Sequence, residues 1–329
     1  MLTAPQGHPG FIPEVVTNWR FLHRFEGPSV SLQTGTIADA TEASIIFITV
    51  PTNAHQDVLD EMAQYDWRGK LLVAMPCGLF AGLARRTIPP DRFPELIMGT
   101  TSAPYASRRM PGGTINIARL KLNMQIASSG SGALGRLKDY MSNFFPSPLT
   151  WYSNLASTYI SNVNPVIHPS AMLKSEAAIS GPGANPLFFL ECIPAAADAI
   201  LGVDEERWGL ASRLGLETDT LLGFFRQWYT PGGSNYLACV EDSVRTTPSY
   251  QVRRAPSMNH RFLDEDSEQL VLWREIAVKM NFPTSRFDWV ISNAERVLGR
   301  TLSDTCVTLA SLGLESASVP EIIAFINGV

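Results

Sequence analysis

Ala43-Ser44-Ile45-Ile46-Phe47-Ile48-Thr49-Val50 is an unbroken apolar run rich in β-branched residues. A run of this kind marks a strand covered on both faces, as the strands of parallel sheets are. Pro51-Thr52-Asn53-Ala54-His55 stops it, and residues 56–65 then place Val58, Leu59, Met62 and Ala63 on one side of a predicted helix. The alternation continues outward. Lys70 to Met75 reads as a second strand, a Pro-Cys-Gly turn leads into a helix over 79–86, and Glu95 to Gly99 is a third strand. Residues 116–120 and 123–128 read as a closing β pair or hairpin, followed by a helix over 134–144. Strands separated by helical stretches predict a doubly wound α/β sheet. Ligands of such sheets lie beyond the carboxyl ends of the strands, here near Thr49 to His55 and Met75 to Gly78.

From Leu155 onward strands give way to helices. They are predicted over 187–201 with a kink at Pro194, 204–214 with Gly215 as the C-cap, 218–229, 264–280, 286–298 and 319–326. Thr246 to His260 reads as a long loop rich in Pro and Arg. The expected organisation is an α/β domain over 1–148 and an all-α domain over 149–329.

Composition narrows the function. Charged residues make up 17% of the 329, below the usual 25% or so, which implies much buried surface. A net charge of −5 without a long basic run argues against nucleic-acid binding. Cys77, Cys192, Cys239 and Cys306 are far apart, and His8, His23, His55, His168 and His260 are equally scattered. No disulfide framework or metal site is expected from them. Leu71 to Ala84, the most apolar stretch, contains Pro76 and Gly78 and falls short of the roughly 20 residues that span a membrane. The amino terminus lacks the basic and apolar regions of a signal peptide, so a soluble cytoplasmic protein is expected.

A dinucleotide-binding half should open with a strand, a glycine-rich turn and a helix. Here Met1-Leu2-Thr3 reads as the tail of a second strand, and a leading β-α-β unit of about 30 residues has no room before it. A truncated reading frame or a lost phosphate cradle would account for that. A literal G-x-G-x-x-G stands at Gly130-Ser-Gly-Ala-Leu-Gly135, but no acid follows near Thr150 to Leu155 to hold a ribose. It reads as a Gly/Ser connection.

The chemistry-bearing segment is Ser161-Asn-Val-Asn-Pro-Val-Ile-His-Pro169. Two prolines stiffen the backbone around one imidazole and bias the preceding residues toward extended conformations. A rigidly held histidine suits proton transfer, and a hydrogen-bonded structural histidine at a helix terminus fits the same residues. Arg108 and Arg109, after Pro104-Tyr105, could clamp a carboxylate in bidentate fashion or stand as solvated loop arginines.

Several stretches together resemble the opine (octopine/nopaline) dehydrogenases. They are Thr49-Val-Pro-Thr-Asn-Ala-His55, Ala103-Pro-Tyr-Ala-Ser-Arg108, Asn162-Val-Asn-Pro-Val-Ile-His-Pro169, Asp204-Glu-Glu-Arg207 with Leu214-Gly-Leu216, and Arg261-Phe-Leu-Asp-Glu-Asp266, in the family's order. The resemblance implies a Rossmann-type sheet followed by a helical catalytic domain. It also implies NAD(P)H-dependent condensation of an amino acid with a 2-oxo acid, with hydride delivered to the imine carbon. By the same resemblance His168 is the acid/base and Asp266 its orienting carboxylate. Cofactor contacts fall to Val50, Pro51, Thr52 and His55, and substrate contacts to Tyr105, Arg108, Asn164 and Arg261. Asp266 could instead be one surface member of an acidic helix start, His55 a helix cap and Asn164 a turn residue. The family's glycine-rich loop has no counterpart here, and Thr3-Ala-Pro-Gln6 at the ribose position lacks an acid, which tilts the cofactor toward NADP over NAD. No metal, nucleic acid or membrane is implied, and a homodimer is an open option. Two alternatives stand beside this reading: a catalytically silent binding or structural protein, and a ketopantoate-reductase-like 2-oxo acid reductase.

Overall fold

A computed structural model describes residues 35–109, 115–130, 134–229 and 233–329. The described residues form two compact units, one of those up to residue 159 together with 324–329 and one of those from 160 to 323.

In the first unit the elements run α1 (Ile37–Ala40), β1 (Ile45–Ile48), α2 (His55–Met62), β2 (Leu71–Ala74), α3 (Phe80–Thr87), β3 (Leu96–Thr100), β4 (Tyr105–Arg109), β5 (Ile115–Leu120), β6 (Met124–Ser128), α4 (Leu134–Ser142), β7 (Leu149–Trp151) and α5 (Leu155–Ile160). The main sheet has the order β1-β2-β3-β6-β7. β1, β2 and β3 are parallel, with Ile46 opposite Leu72 and Leu72 opposite Ile97. α2 and α3 make the crossovers between these strands, and β2 is buried at every position. Beneath them Leu71, Val73, Met98, Ile126, Met141 and Phe145 pack into one core cluster.

Two strands pair differently from expectation. Residues 115–120 and 124–128 do not form a hairpin with each other. β5 pairs antiparallel with β4 in a separate two-stranded sheet, while β6 pairs antiparallel with β3 and parallel with β7. The main sheet is therefore mixed, and the carboxyl end of β6 lies at the edge opposite those of β1 to β3. Gly130-Ser-Gly-Ala-Leu-Gly135 starts from that opposite edge, its residues 131–133 lying outside the described ones. Strand β7 and helix α5 belong to the first unit, so the chain divides past residue 148. Leu155 of α5 lies close to β3: a Cβ on Gly99 would collide with Cys77 and stand 3.2 Å from Leu155 Cδ2. The carboxyl-terminal residues return to the same unit, where the Phe325 carbonyl and ring sit where a Gly82 side chain would be.

The second unit contains α6 (Asn164–Lys174), α7 (Glu176–Ser180), α8 (Ile193–Ala195), α9 (Ala197–Leu214), α10 (Leu221–Tyr229), α11 (Tyr236–Arg245), α12 (Pro248–Gln251), α13 (Asp264–Lys279), α14 (Ser285–Leu298) and most of α15 (Val319–Ile326). The helix expected over 187–201 is instead a π turn at Phe188–Cys192, then the short α8, then a break at Ala196. α9 runs uninterrupted across Gly202 and ends, as expected, at a left-handed Gly215 with φ +68. Gly202 is tolerated mid-helix because the Arg286 side chain lies against it, 3.0 Å from where a Cβ would stand. The expected loop 246–260 contains α12 and is preceded by α11, capped by the Asn235 side chain accepting from the Ala238 N–H at 3.0 Å.

Polar ties hold this unit together. The fully buried Arg207 donates to Asp204 at 2.7 and 2.9 Å, to Thr218 Oγ1 at 2.9 Å, and to the carbonyls of Ile160 and Asp219. The neighbouring Glu206 carboxylate accepts from the backbone N–H groups of Arg286 and Phe287 at 2.8 and 2.9 Å, satisfying the start of α14. Both contacts account for the Asp204-Glu-Glu-Arg207 motif as framework.

Candidate active site

α6 is the element that carries the imidazole. Pro165 occupies its first turn, where a missing N–H is harmless, and Pro169 stands inside the helix. His168, expected to be biased toward extended backbone by Pro169, is helical. Burial of Val166, Ile167, Ala171 and Met172 against α9, α13 and α14 outweighs one lost backbone bond.

His168 Nδ1 lies 2.7 Å from Asp266 Oδ2, with both side chains only 14% and 11% exposed. Asp266 is in the first turn of α13, so the pair joins positions 98 residues apart. The segment before α13 turns sharply. The backbone N–H groups of Leu263 and Asp264 both donate to the His260 carbonyl, and the Phe262 N–H donates to His260 Nδ1 at 3.2 Å. This turn drives Phe262 inward, where its ring stacks on His168 at 3.8 Å and 18°. His260 meets the Phe262 ring edge-on at 4.6 Å, and Phe188 of the π turn closes the cluster 5.1 Å from Phe262 and 5.9 Å from His168. The guanidinium groups of Arg253 and Arg261 lie 5.0 and 5.5 Å from the Phe262 centroid.

Burial lowers the pKa of His168 below its ordinary 6.5, Arg261 and Arg253 push it the same way, and the Asp266 hydrogen bond and charge oppose them. His260 is held at about 4 by burial and by the same two arginines. Both imidazoles are therefore neutral near neutral pH. The Asp266 carboxylate can only accept, so it fixes the proton of neutral His168 on Nδ1 and leaves Nε2 as the basic nitrogen.

Of the residues expected at the site, the structure brings together His168, Asp266, Arg261 and Asn164. Asn164 stands four residues before His168 on the same face of α6, and its backbone N–H donates to Asn162 Oδ1 at 3.2 Å. Arg261 is exposed beside the cluster. The remaining residues are in the first unit. Val50, Pro51 and Thr52 follow β1 at the carboxyl edge of the parallel strands, with Pro51 exposed and Val50 and Thr52 half-buried. His55 is fully buried, edge-on to Phe80 at 5.3 Å, and neither ring nitrogen makes a hydrogen bond of ordinary geometry. Burial drops it to about 4, although the nearby Val50 backbone pulls upward. His55 thus braces the turn from beneath rather than lining it. Gly78, at φ +50, lets this turn close on the β2–α3 loop, since a Cβ there would stand 2.8 Å from Thr52 Cγ2. Tyr105 and Arg108 lie on β4, paired with Leu120 and Asn116. The Arg108 side chain and the Thr3 to Gln6 segment are outside the described residues.

Sequence reasoning missed Phe262, Phe188 and His260. Phe262 sits inside the Arg261 to Asp266 motif, and its aromatic character there was the available signal. Phe188 stands in a stretch expected to be a regular helix, where a π turn forms instead, and His260 ends the expected loop.

Three comparisons bear on this geometry. A family model described as the α-helical domain of NAD/NADP octopine/nopaline dehydrogenase matches residues 151–298. Protein ocs of Agrobacterium tumefaciens (strain Ach5) is 33% identical over 290 residues, covering 87% of this chain and 79% of that protein. Vitopine synthase of Allorhizobium ampelinum is 31% identical over 290 residues with the same coverage. A solved structure of octopine dehydrogenase with NADH and L-arginine shares the fold, at TM-score 0.68 and 16% identity over 86% of this chain and 78% of that one.

Proposed function

This chain belongs to the octopine/nopaline dehydrogenase family, and we propose that it condenses an amino acid with a 2-oxo acid reductively at the expense of NAD(P)H. The observation that carries the reading is the 2.7 Å contact between His168 and Asp266. Reductive condensation needs a group that takes a proton and returns it. Neutral His168 accepts a proton at Nε2 from the substrate ammonium, which frees the amine lone pair to attack the oxo carbon. The imidazolium so formed is stabilised by Asp266 and returns the proton to the hydroxyl that leaves as water. A bound nicotinamide supplies the hydride that reduces the resulting C=N bond. Atoms and charge then balance: amine, oxo acid, hydride and one proton give a secondary amine and water.

The exposed guanidinium of Arg261, 5.5 Å from the Phe262 ring that stacks on His168, suits a carboxylate, which both substrates carry. Asn164 lies on the same face as His168 and offers a neutral amide to a substrate oxygen. In the first unit the turn at Val50 to Thr52 fits a dinucleotide by position, at the carboxyl edge of parallel strands and closely approached by Gly78. NADP is favoured over NAD on the neutral Thr3-Ala-Pro-Gln6 sequence alone. Four free cysteines accord with a cytoplasmic enzyme. Neither alternative, silent binding protein or 2-oxo acid reductase, gains support from the comparisons.

Initial rates of NAD(P)H oxidation test this reading. Turnover is expected only when an amino acid and a 2-oxo acid are both present. Failure of every pair tried, in a protein that binds the nucleotide, would overturn it.

A further inference from the structure

A single hydrogen bond between two packed helices fixes only one point of polar contact, and small sliding or rotation of the helices shifts its geometry. The helices that carry the dyad have a second tie. Asn162 Nδ2 donates to Gln269 Oε1 at 2.8 Å, and Asn162 Oδ1 accepts from the Asn164 backbone N–H at 3.2 Å. Gln269 follows Asp266 by three residues on α13, so the two share a face. Asn164 opens α6 and precedes His168 by four residues, again on one face. The Asn162 carboxamide therefore couples the first backbone N–H of the imidazole's helix to the carboxylate's helix, one turn beyond Asp266. Only a group with a donor and an acceptor on one short planar unit can make both bonds; a carboxylate lacks the donor, and a hydroxyl lacks the span. Both amides are half-buried, so breaking the bond leaves a polar group poorly solvated.

We propose that Asn162 and Gln269 are a positioning pair whose amide bridge sets the separation and orientation of His168 and Asp266. Neither touches the reacting atoms. The proposal rests on the reading of His168 and Asp266 as the acid–base pair. Displacements of about 1 Å in such a constellation are enough to cost large factors in rate.

The test compares Gln269→Leu, which keeps size and removes the acceptor, with Gln269→Glu, which keeps an acceptor for the Asn162 amide. Gln269→Leu is expected to lower kcat about tenfold, equivalent to about 1.4 kcal/mol, with KM for the nucleotide within about twofold of wild type. Titration of His168 by NMR, its signal assigned by loss in His168→Gln, should move to lower pH in Gln269→Leu because the hold of Asp266 slackens. Gln269→Glu should recover most of kcat. Wild-type kcat and an unmoved His168 titration in Gln269→Leu would overturn the proposal. So would equal impairment of the two variants, which marks simple packing. If no amino acid and oxo acid pair turns over, the reaction assignment fails, and the NMR titration still decides the bridge.

Discussion

At the scale of single residues, the central quantity is the proton affinity of one imidazole. His168→Gln removes the group that cycles the proton and is expected to lower kcat by about 10²–10⁴-fold, read as steady-state rates at saturating substrates. Because burial holds His168 below its ordinary 6.5, the neutral, base-competent form persists into mildly acidic solution. Activity should therefore fall on an acid limb below pH 6.5, and Asp266→Asn should move that limb lower still, since the carboxylate is what raises the value. A limb that stays in place in Asp266→Asn would deny the coupling. His55 makes a different contribution. In the fold it titrates at about 4 against 6.5 ordinarily, so the unfolded chain binds the extra proton first. Its stabilisation is complete above 6.5 and is lost as pH falls toward 4, a loss of roughly 3 kcal/mol at the low end. Urea unfolding at several pH values should show a shallower acid loss in His55→Gln than in wild type.

At the scale of elements, close approach governs what can change. A methyl on Gly99 of β3 would enter the space of Cys77 and Leu155, so Gly99→Ala should destabilise the first unit by about 1–3 kcal/mol, measured by urea unfolding. Much at this scale was legible in sequence. The runs at 45–48 and 71–74 announced parallel strands because both faces carry apolar side chains; 71–74 is buried at every position, whereas in 45–48 only Ile48 is buried and the covering expected on both faces is incomplete. α13, α14 and the Gly215 cap follow from periodicity and a left-handed glycine. What escaped has physical causes. β4, Tyr-Ala-Ser-Arg-Arg, lacks an apolar alternation and is a strand because β5 supplies its ladder. The join of two expected helices into α9 depends on Arg286 filling the space beside Gly202, a contact 84 residues away in sequence (286 − 202). The π turn at Phe188 answers to the pairing of residues 186–188 with 253–255, which no local pattern encodes.

At the scale of the whole molecule, the first unit carries the turn proposed to line the nucleotide, and the second carries the proton-handling pair. His168 and Asp266 were legible as a pair only through the family's motifs, because they stand 98 positions apart and spacing alone says nothing of contact. The aromatic shell of Phe188, Phe262 and His260 needed the fold. On this mechanism His168 and Asp266 serve the making of a carbon–nitrogen bond rather than the reduction of a keto group. Mass analysis of the product from NAD(P)H, an amino acid and a 2-oxo acid tests that most directly. The expected result is a secondary amine bearing both carboxylates, formed by wild type, strongly reduced in His168→Gln and absent when either substrate is omitted. A 2-hydroxy acid formed from the oxo acid alone, at a rate indifferent to the amino acid, would contradict it.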